Sequence, residues 1–266
     1  MSAAKVSEPE ASYFGVQAFW GVTKHMGGLK ATDELVELCH IDEGKYVLEV
    51  GSGVGMTACY IAKRHGCRVV GVDLSEGMVE WSRRRAKNDG LEDRVEFRVA
   101  DAENLPFEND LFDAVISESV TVFVEEKHRA ISEYARVTKP GGYVGLNEGT
   151  WMKASPPTDL IEYLHHTMAG ANFLTGDDWR ELLEGSQLRN IVARTYELNA
   201  LSQWINELRG LTSRDLLDRV RAMAKFVSSM ISSPAFRKYA RRITPSRKTM
   251  SKFFEYLGYG IYVGRK

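Results

Sequence analysis

Residues 47 to 55, Val47-Leu48-Glu49-Val50-Gly51-Ser52-Gly53-Val54-Gly55, constrain this chain more than any other stretch. An apolar run of this kind suits a strand buried on both faces of a parallel sheet. It then passes into glycines at every second position. Those glycines remove the side chains that would hold a bulky charged ligand off the backbone, and they open backbone angles closed to other residues. A helix running from about Met56 to Arg64 would aim its free N–H groups into the turn. Together these features predict a nucleotide-like cofactor site on an α/β sheet.

The spacing narrows the cofactor. A dinucleotide site of the nicotinamide type has Gly-x-Gly-x-x-Gly, and Met56 stands where its third glycine belongs. Here the glycines are Gly51, Gly53 and Gly55, with Glu49 just upstream. Glu-x-Gly-x-Gly-x-Gly resembles the first motif of class I S-adenosylmethionine-dependent methyltransferases.

Beyond the turn, strand and helix alternate. Strands are expected at Tyr46 to Val50, Arg68 to Val72, Val95 to Val99, Ala114 to Ile116 and Tyr143 to Leu146. The helices between them end near His65, Asn88 and Val137, and Lys139-Pro140-Gly141-Gly142 reads as a helix stop and turn. Near-continuous apolar strands in this rhythm mean a doubly wound parallel sheet. Helical stretches near 157–169 and 177–184 follow, then strand candidates at Ile191 to Tyr196 and Tyr259 to Val263. The expected organisation is a helical cap over 1–40, an α/β core over 41–150, and a C-terminal half over 151–266 that completes the sheet. A helical insertion, about 200–257, separates the last two strands.

With 266 residues, 44% hydrophobic and 27% charged, the chain suits one large globular domain or a domain with an insertion. A net charge of -1 gives no broad bias toward nucleic acid or membrane. The N-terminus lacks an apolar stretch of signal-peptide length, and no window reaches the roughly 20 apolar residues of a membrane span. Cys39, Cys59 and Cys67 lack paired spacing and read as small buried hydrophobes. A cytoplasmic protein without a metal site is the expectation.

Four candidate positions fall at carboxyl ends of successive strands, where open α/β sheets bind ligands. They are the glycine turn, Asp73, Asp101-Ala102 and Ser117-Glu118. Strand-end aspartates also cap following helices, so each alone is ambiguous. In order, however, Val47 to Gly55, Val70 to Ser75, Val99 to Phe107, Phe112 to Ser117 and Arg136 to Gly142 resemble the class I methyltransferase core. The nearest branch is that of ubiquinone/menaquinone-biosynthesis and related small-molecule methyltransferases. The resemblance implies a Rossmann-like, mostly parallel seven-stranded sheet and S-adenosyl-L-methionine as cofactor. It also implies that Gly51, Ser52, Gly53 and Gly55 contact the methionine part, and that Asp73 holds the ribose. Leu74 and Met78 would line the adenine, Asp101 and Ala102 read its edge, and Glu49 serve the loop and the cofactor's amino group. Ser117 and Glu118 would lie beside the reactive end.

Candidate bases are Glu118 first, then Glu148, His165 and His166; Glu118 equally suits a cationic acceptor. Phe19, Trp20, Glu148 and Trp151 are candidate walls of an acceptor pocket, although packing is the commoner fate of such aromatics. An aromatic N-terminus and a helical lid suggest an apolar or amphiphilic acceptor such as a quinone, isoprenoid or lipid precursor, with a small amine as the rival. The insertion carries Arg237, Lys238, Arg241, Arg242 and other bases on an amphipathic helical pattern. That cationic side is either solvated or rests on an anionic membrane surface. A nicotinamide-dependent oxidoreductase and a cofactor-binding protein without turnover are the other classes; nucleic acid is not an expected partner.

Overall fold

The computed structural model describes residues 13–20, 25–198 and 213–266. Its strands are β1 (Tyr46–Val50), β2 (Arg68–Asp73), β3 (Val95–Val99), β4 (Phe112–Glu118), β5 (Thr138–Trp151), β6 (Leu174–Thr175), β7 (Arg189–Glu197) and β8 (Leu257–Arg265). They form one sheet in the order β3-β2-β1-β4-β5-β8-β7, with β6 paired to β5 off that path. β1 through β5 run parallel where they pair, and β8 is antiparallel to both β5 and β7. This is the mostly parallel doubly wound sheet expected, with the two-residue β6 added.

Helices α1 (Tyr13–Trp20), α2 (Gly28–Leu38), α3 (Met56–His65), α4 (Glu76–Asp89), α5 (Lys127–Val137), α6 (Thr158–Thr167) and α7 (Gly176–Gly185) flank the sheet or cap its end. β1 lies between β2 and β4, with Val47 opposite Val69 on one side and Ala114 on the other. Val47, Leu48 and Val50 are accordingly buried, as an interior parallel strand requires. On β5, a side chain at Gly145 would collide with Leu35 and Cys39, so α2 seats directly against the strand there.

Two boundaries differ from the sequence reading. β5 begins at Thr138 and runs to Trp151, where a turn at Lys139–Gly142 and a shorter strand were expected. The cause is non-local. β8 pairs with β5 from Tyr143↔Arg265 to Trp151↔Leu257, and Gly141 and Gly142 exchange backbone bonds with Lys266. The C-terminal strand thus lengthens β5, and it sits inside the sheet. β7, with exposed Arg189, Arg194 and Glu197, takes the edge, and charged residues blunt it against further pairing.

Between β7 and β8 come helices α8 (Ser213–Ser232), α9 (Pro234–Ile243) and α10 (Arg247–Tyr256), of which α10 packs Phe253, Phe254 and Tyr256 against the main core. Phe236 and Tyr239 of α9 make a small separate core with Phe226 and Met230 of α8. α8 leaves Leu216, Val220, Met223, Val227 and Ile231 exposed along one side. No described helix is long and apolar enough to cross a membrane. α10 is tied to α6 by the Lys252–Asp159 ion pair.

α7 opens with a reciprocal cap between Thr175 and Asp178, which fixes the approach of Trp179. The Trp179 ring is fully buried beside Tyr262, and its Nε1–H donates to the Gly149 carbonyl at 3.3 Å. Trp179→Ala should therefore cost about 3–5 kcal/mol in urea unfolding. A loss below about 1 kcal/mol would mean that α7 does not brace the β5–β8 half of the sheet.

Candidate active site

The turn after β1 is held by the protein's own hydrogen bonds. The Gly51 and Ser52 N–H groups both donate to the Val72 carbonyl, at 2.7 and 2.9 Å. Gly53 N–H donates to one Asp73 carboxylate oxygen and Ser75 N–H to the other, each at 2.9 Å. From α4, Ser82 Oγ donates to the Gly53 carbonyl at 2.7 Å and Arg85 Nε to that of Val54 at 3.0 Å. Gly51 has φ 75°, and a side chain there would collide with Val120, so glycine is required on both counts.

A cavity of about 580 Å³ opens over this turn. Glu49, Gly51, Ser52, Gly53, Asp73, Leu74, Met78, Asp101, Ala102 and Glu118 all line it, so residues from four strand ends converge on one space. Two buried atoms in its wall, Glu49 Oε2 and Ser52 Oγ, have no hydrogen-bond partner among the described residues. Leu74 is 74% exposed, an apolar side chain offered to the cavity. The described lining carries six carboxyl groups, those of Glu49, Asp73, Asp101, Glu103, Glu118 and Glu125, and no lysine or arginine is found among its described residues. Burial, then the charges of Glu118 and Asp73, push the Glu49 carboxyl well above the usual carboxylate range, against a backbone N–H bond from Ala58. Burial also raises Asp73, opposed by the Ser75 and Gly53 N–H groups. Such a wall favours a ligand with its own positive charge and hydrogen-bond donors.

Glu118 is the most heavily bonded of these groups. Its carboxylate accepts from Thr32 Oγ1 at 3.1 Å, Thr57 Oγ1 at 2.9 Å and Asn147 Nδ2 at 3.2 Å. His25 Nε2 lies 3.7 Å from Glu118 Oε1 and 3.0 Å from Thr32 Oγ1. Sequence reading missed His25, Thr32, Thr57 and Asn147, which come from separate segments and carry no motif. It also missed Tyr13 and Phe14 of α1 and Phe123, whose rings cluster at 5.0–5.6 Å and line the cavity.

Several expected site residues lie elsewhere. Gly55 sits behind the turn, where a side chain would meet Phe97 and Ser82. Ser117 is fully buried and pairs with Thr121 at 3.3 Å. Trp151 packs on Phe173 in the core. His165 and His166 are exposed on α6, outside the cavity wall, because their helix turns Leu160 and Leu164 inward instead. The side chains of Phe19 and Trp20 lie outside the described part, as do residues 199–212 of the insertion. No described residue of α8 to α10 lines the cavity; α8 packs on α1, which does.

Glu148 is also absent from the cavity and has a different task. Its carboxylate accepts the N–H groups of Val120 at 3.1 Å, Thr121 at 2.7 Å and Val122 at 3.4 Å. Lys127 Nζ meanwhile donates to the carbonyls of Val122 and Val124. A 3₁₀ turn, Thr121–Phe123, is thereby clamped from both sides, which places Val120 and Phe123 on the cavity wall.

The methyltransferase-domain family matches residues 48–146. An uncharacterized protein of Haemophilus influenzae is 34% identical over 66% of this chain and 71% of its own length. A demethylmenaquinone methyltransferase of Clavibacter sepedonicus is 40% identical over 44% of this chain, and the alignment spans 45% of that enzyme. In fold, the chain resembles a methyltransferase of Geobacter sulfurreducens solved with S-adenosyl-L-homocysteine. The TM-score is 0.70 with 20% identity, covering 94% of this chain and 96% of the other. The chain belongs to the S-adenosylmethionine-dependent methyltransferases. Its cofactor is S-adenosylmethionine, and the nicotinamide alternative falls. The unpartnered Glu49 and Ser52 atoms and the acidic wall fit that cation.

The Glu148 clamp yields a pH test. Burial outweighs the three N–H bonds and pushes its carboxyl from 4.5 up to about 7. A carboxyl raised on folding favours the native state below its ordinary value, and that contribution is lost as pH climbs through the raised one. Between those limits wild type should lose up to roughly 3 kcal/mol of stability relative to Glu148→Gln. Chemical denaturation at a series of pH values reads this, and a difference independent of pH would contradict it.

Proposed function

We propose that this protein methylates a small, largely apolar or amphiphilic acceptor that lies against Tyr13, Phe14 and Phe123. The observation carrying this reading is continuity: one cavity joins the glycine turn and Asp73 to Glu118 and on to those three rings. When bound, S-adenosylmethionine supplies a methyl group on a sulfonium that leaves with the bonding pair on sulfur. Gly51, Ser52 and Gly53 would hold its methionine part, with Glu49 toward the amino group and Asp73 toward the ribose hydroxyls. Leu74, Met78, Asp101 and Ala102 would border the adenine. Much of the rate then comes from holding the reacting pair in contact, which supplies roughly 7–11 kcal/mol when alignment is good.

A second reading, a small amine as acceptor, has its own support in the six carboxyl groups on the wall. An ammonium near Glu118 is favoured electrostatically, and aromatic faces such as those of α1 accept a cation. Quinol, phenol and primary-amine panels in the presence of cofactor separate the two by which one gains a methyl group.

The cofactor assignment is tested by calorimetry. Gly53→Val should abolish S-adenosylmethionine binding with unfolding still cooperative, since Gly53 has φ 53° and faces the cavity. Asp73→Ala should weaken binding by about 1.5–3 kcal/mol, the worth of a hydrogen bond to a charged group. Full affinity in both would sink the assignment.

We also propose that a cytoplasmic protein of this kind touches an anionic membrane surface through α8 and α9. The exposed stripe from Leu216 to Ile231 supports this, with Arg237 bonded to the Met230 and Ile231 carbonyls beside its end. An apolar stripe flanked by cations is the pattern of an interfacial helix. Each Lys or Arg near such a surface adds about 1 kcal/mol, fading with salt. Sedimentation with anionic vesicles should show salt-sensitive binding that is lost when Arg237, Lys238, Arg241 and Arg242 become Gln. Absence of wild-type binding would remove this contact.

A further inference from the structure

Resting on the methyl-transfer reading, we infer that His25 is the proton acceptor of the reaction, so the atom methylated is one that gives up a proton, as an N–H or O–H group does. His25 lines the cavity, and its Nε2 is 3.0 Å from Thr32 Oγ1. The Thr32 hydroxyl has one proton and lies 3.1 Å from each Glu118 oxygen. Glu118 also accepts from Thr57 and Asn147, so its oxygens are committed as acceptors. Thr32 must then donate to Glu118 and accept from His25, which places the imidazole proton on Nε2. Nδ1 is left with its lone pair, and no described residue bonds it.

This is the logic by which a carboxylate orients a histidine base, here through one intervening hydroxyl. It also stabilises the product state. Once protonated, the imidazolium stands 3.7 Å from the Glu118 carboxylate. Among the described residues, the other titratable groups lining the cavity are the carboxyls of Glu49, Asp73, Asp101, Glu103 and Glu125 and the Tyr13 phenol.

The balance of the step follows. A lone pair on the acceptor nitrogen or oxygen forms the new bond to the methyl carbon, while the carbon–sulfur pair returns to sulfur. The acceptor's proton passes to Nδ1 of His25 and from there to solvent. Glu118 and Thr32 are positioning residues in this scheme. An acceptor atom without a proton, such as a thioether or a tertiary amine, would have no use for the arrangement.

The test uses the full chain. Long-range ¹H–¹⁵N spectra of the imidazoles, with His25→Asn identifying the signal, read the tautomer without cofactor or acceptor. The expected form is Nε2–H in wild type, with that preference lost in Thr32→Val. An Nδ1–H wild-type ring overturns the inference. Transfer of labelled methyl from S-adenosylmethionine to ethanolamine, 2-phenylethylamine, phenol and catechol is then followed from about pH 5.5 to 9, around the histidine range. In His25→Asn, kcat should fall about 10²–10⁴-fold and lose the acid limb of its pH profile. KM and calorimetric cofactor affinity should stay within a few-fold of wild type. Unchanged kcat and pH profile overturn the inference, and if none of the four probes is methylated, the tautomer decides it. A wild type that binds no S-adenosylmethionine would instead count against the cofactor reading, so the two failures are distinguishable.

Discussion

The structure depends on an electrostatic tension at the carboxyl end of its central strands. Glu49, Asp73 and Glu118 come from β1, β2 and β4, which lie side by side, and their carboxyl groups share one cavity. Removing carboxylates from water is costly unless partners replace the lost solvation. Backbone N–H groups do so for Asp73, and Thr32, Thr57 and Asn147 do so for Glu118. Glu49 keeps an oxygen unbonded. The protein therefore holds a partly compensated negative site, and a cationic cofactor completes it. Binding and local stability are linked at this point, because a ligand that favours the native state stabilises it by mass action.

Much of this was legible in the sequence because it is local. The path from Val47 to Gly55 carries strand, turn and helix start in one run, and Asp73 and Asp101 each follow an apolar strand directly. The network around Glu118 was not legible. Thr32 is 86 positions away and Thr57 is 61, and nothing in either neighbourhood marks a polar residue as turned toward a distant carboxylate. Glu148 shows the opposite error. A buried acid near the site invites a catalytic reading, yet its lone pairs are spent on the turn at Val120–Val122. The length of β5 was hidden for a topological reason, since its pairing partner β8 lies more than a hundred residues later.

The described helices of the insertion pack beside elements of the cavity, and none of their described residues is in its wall. α8 packs on α1, and Lys225 Nζ lies 5.4 Å from the centre of the Trp81 ring on α4, so these helices are coupled to both sides of the cavity without lining it. α1 supplies Tyr13 and Phe14 to the wall. α8 thus packs on an element that lines the cavity, while the glycine turn is braced by β2 and α4. That separation matches the division of labour in the sequence, where the methyltransferase motifs fade before residue 40 and after 150.

A crystal structure of the complex with S-adenosyl-L-homocysteine would show whether the acidic strand ends hold the cofactor. Density should run from the Gly51–Gly53 turn to Asp73, with the ligand's amino group within hydrogen-bond distance of Glu49 Oε2. The ribose hydroxyls should meet Asp73, and the thioether sulfur should face Glu118 and His25. An empty cavity at saturating ligand, or a ligand bound away from Glu49 and Asp73, would contradict it.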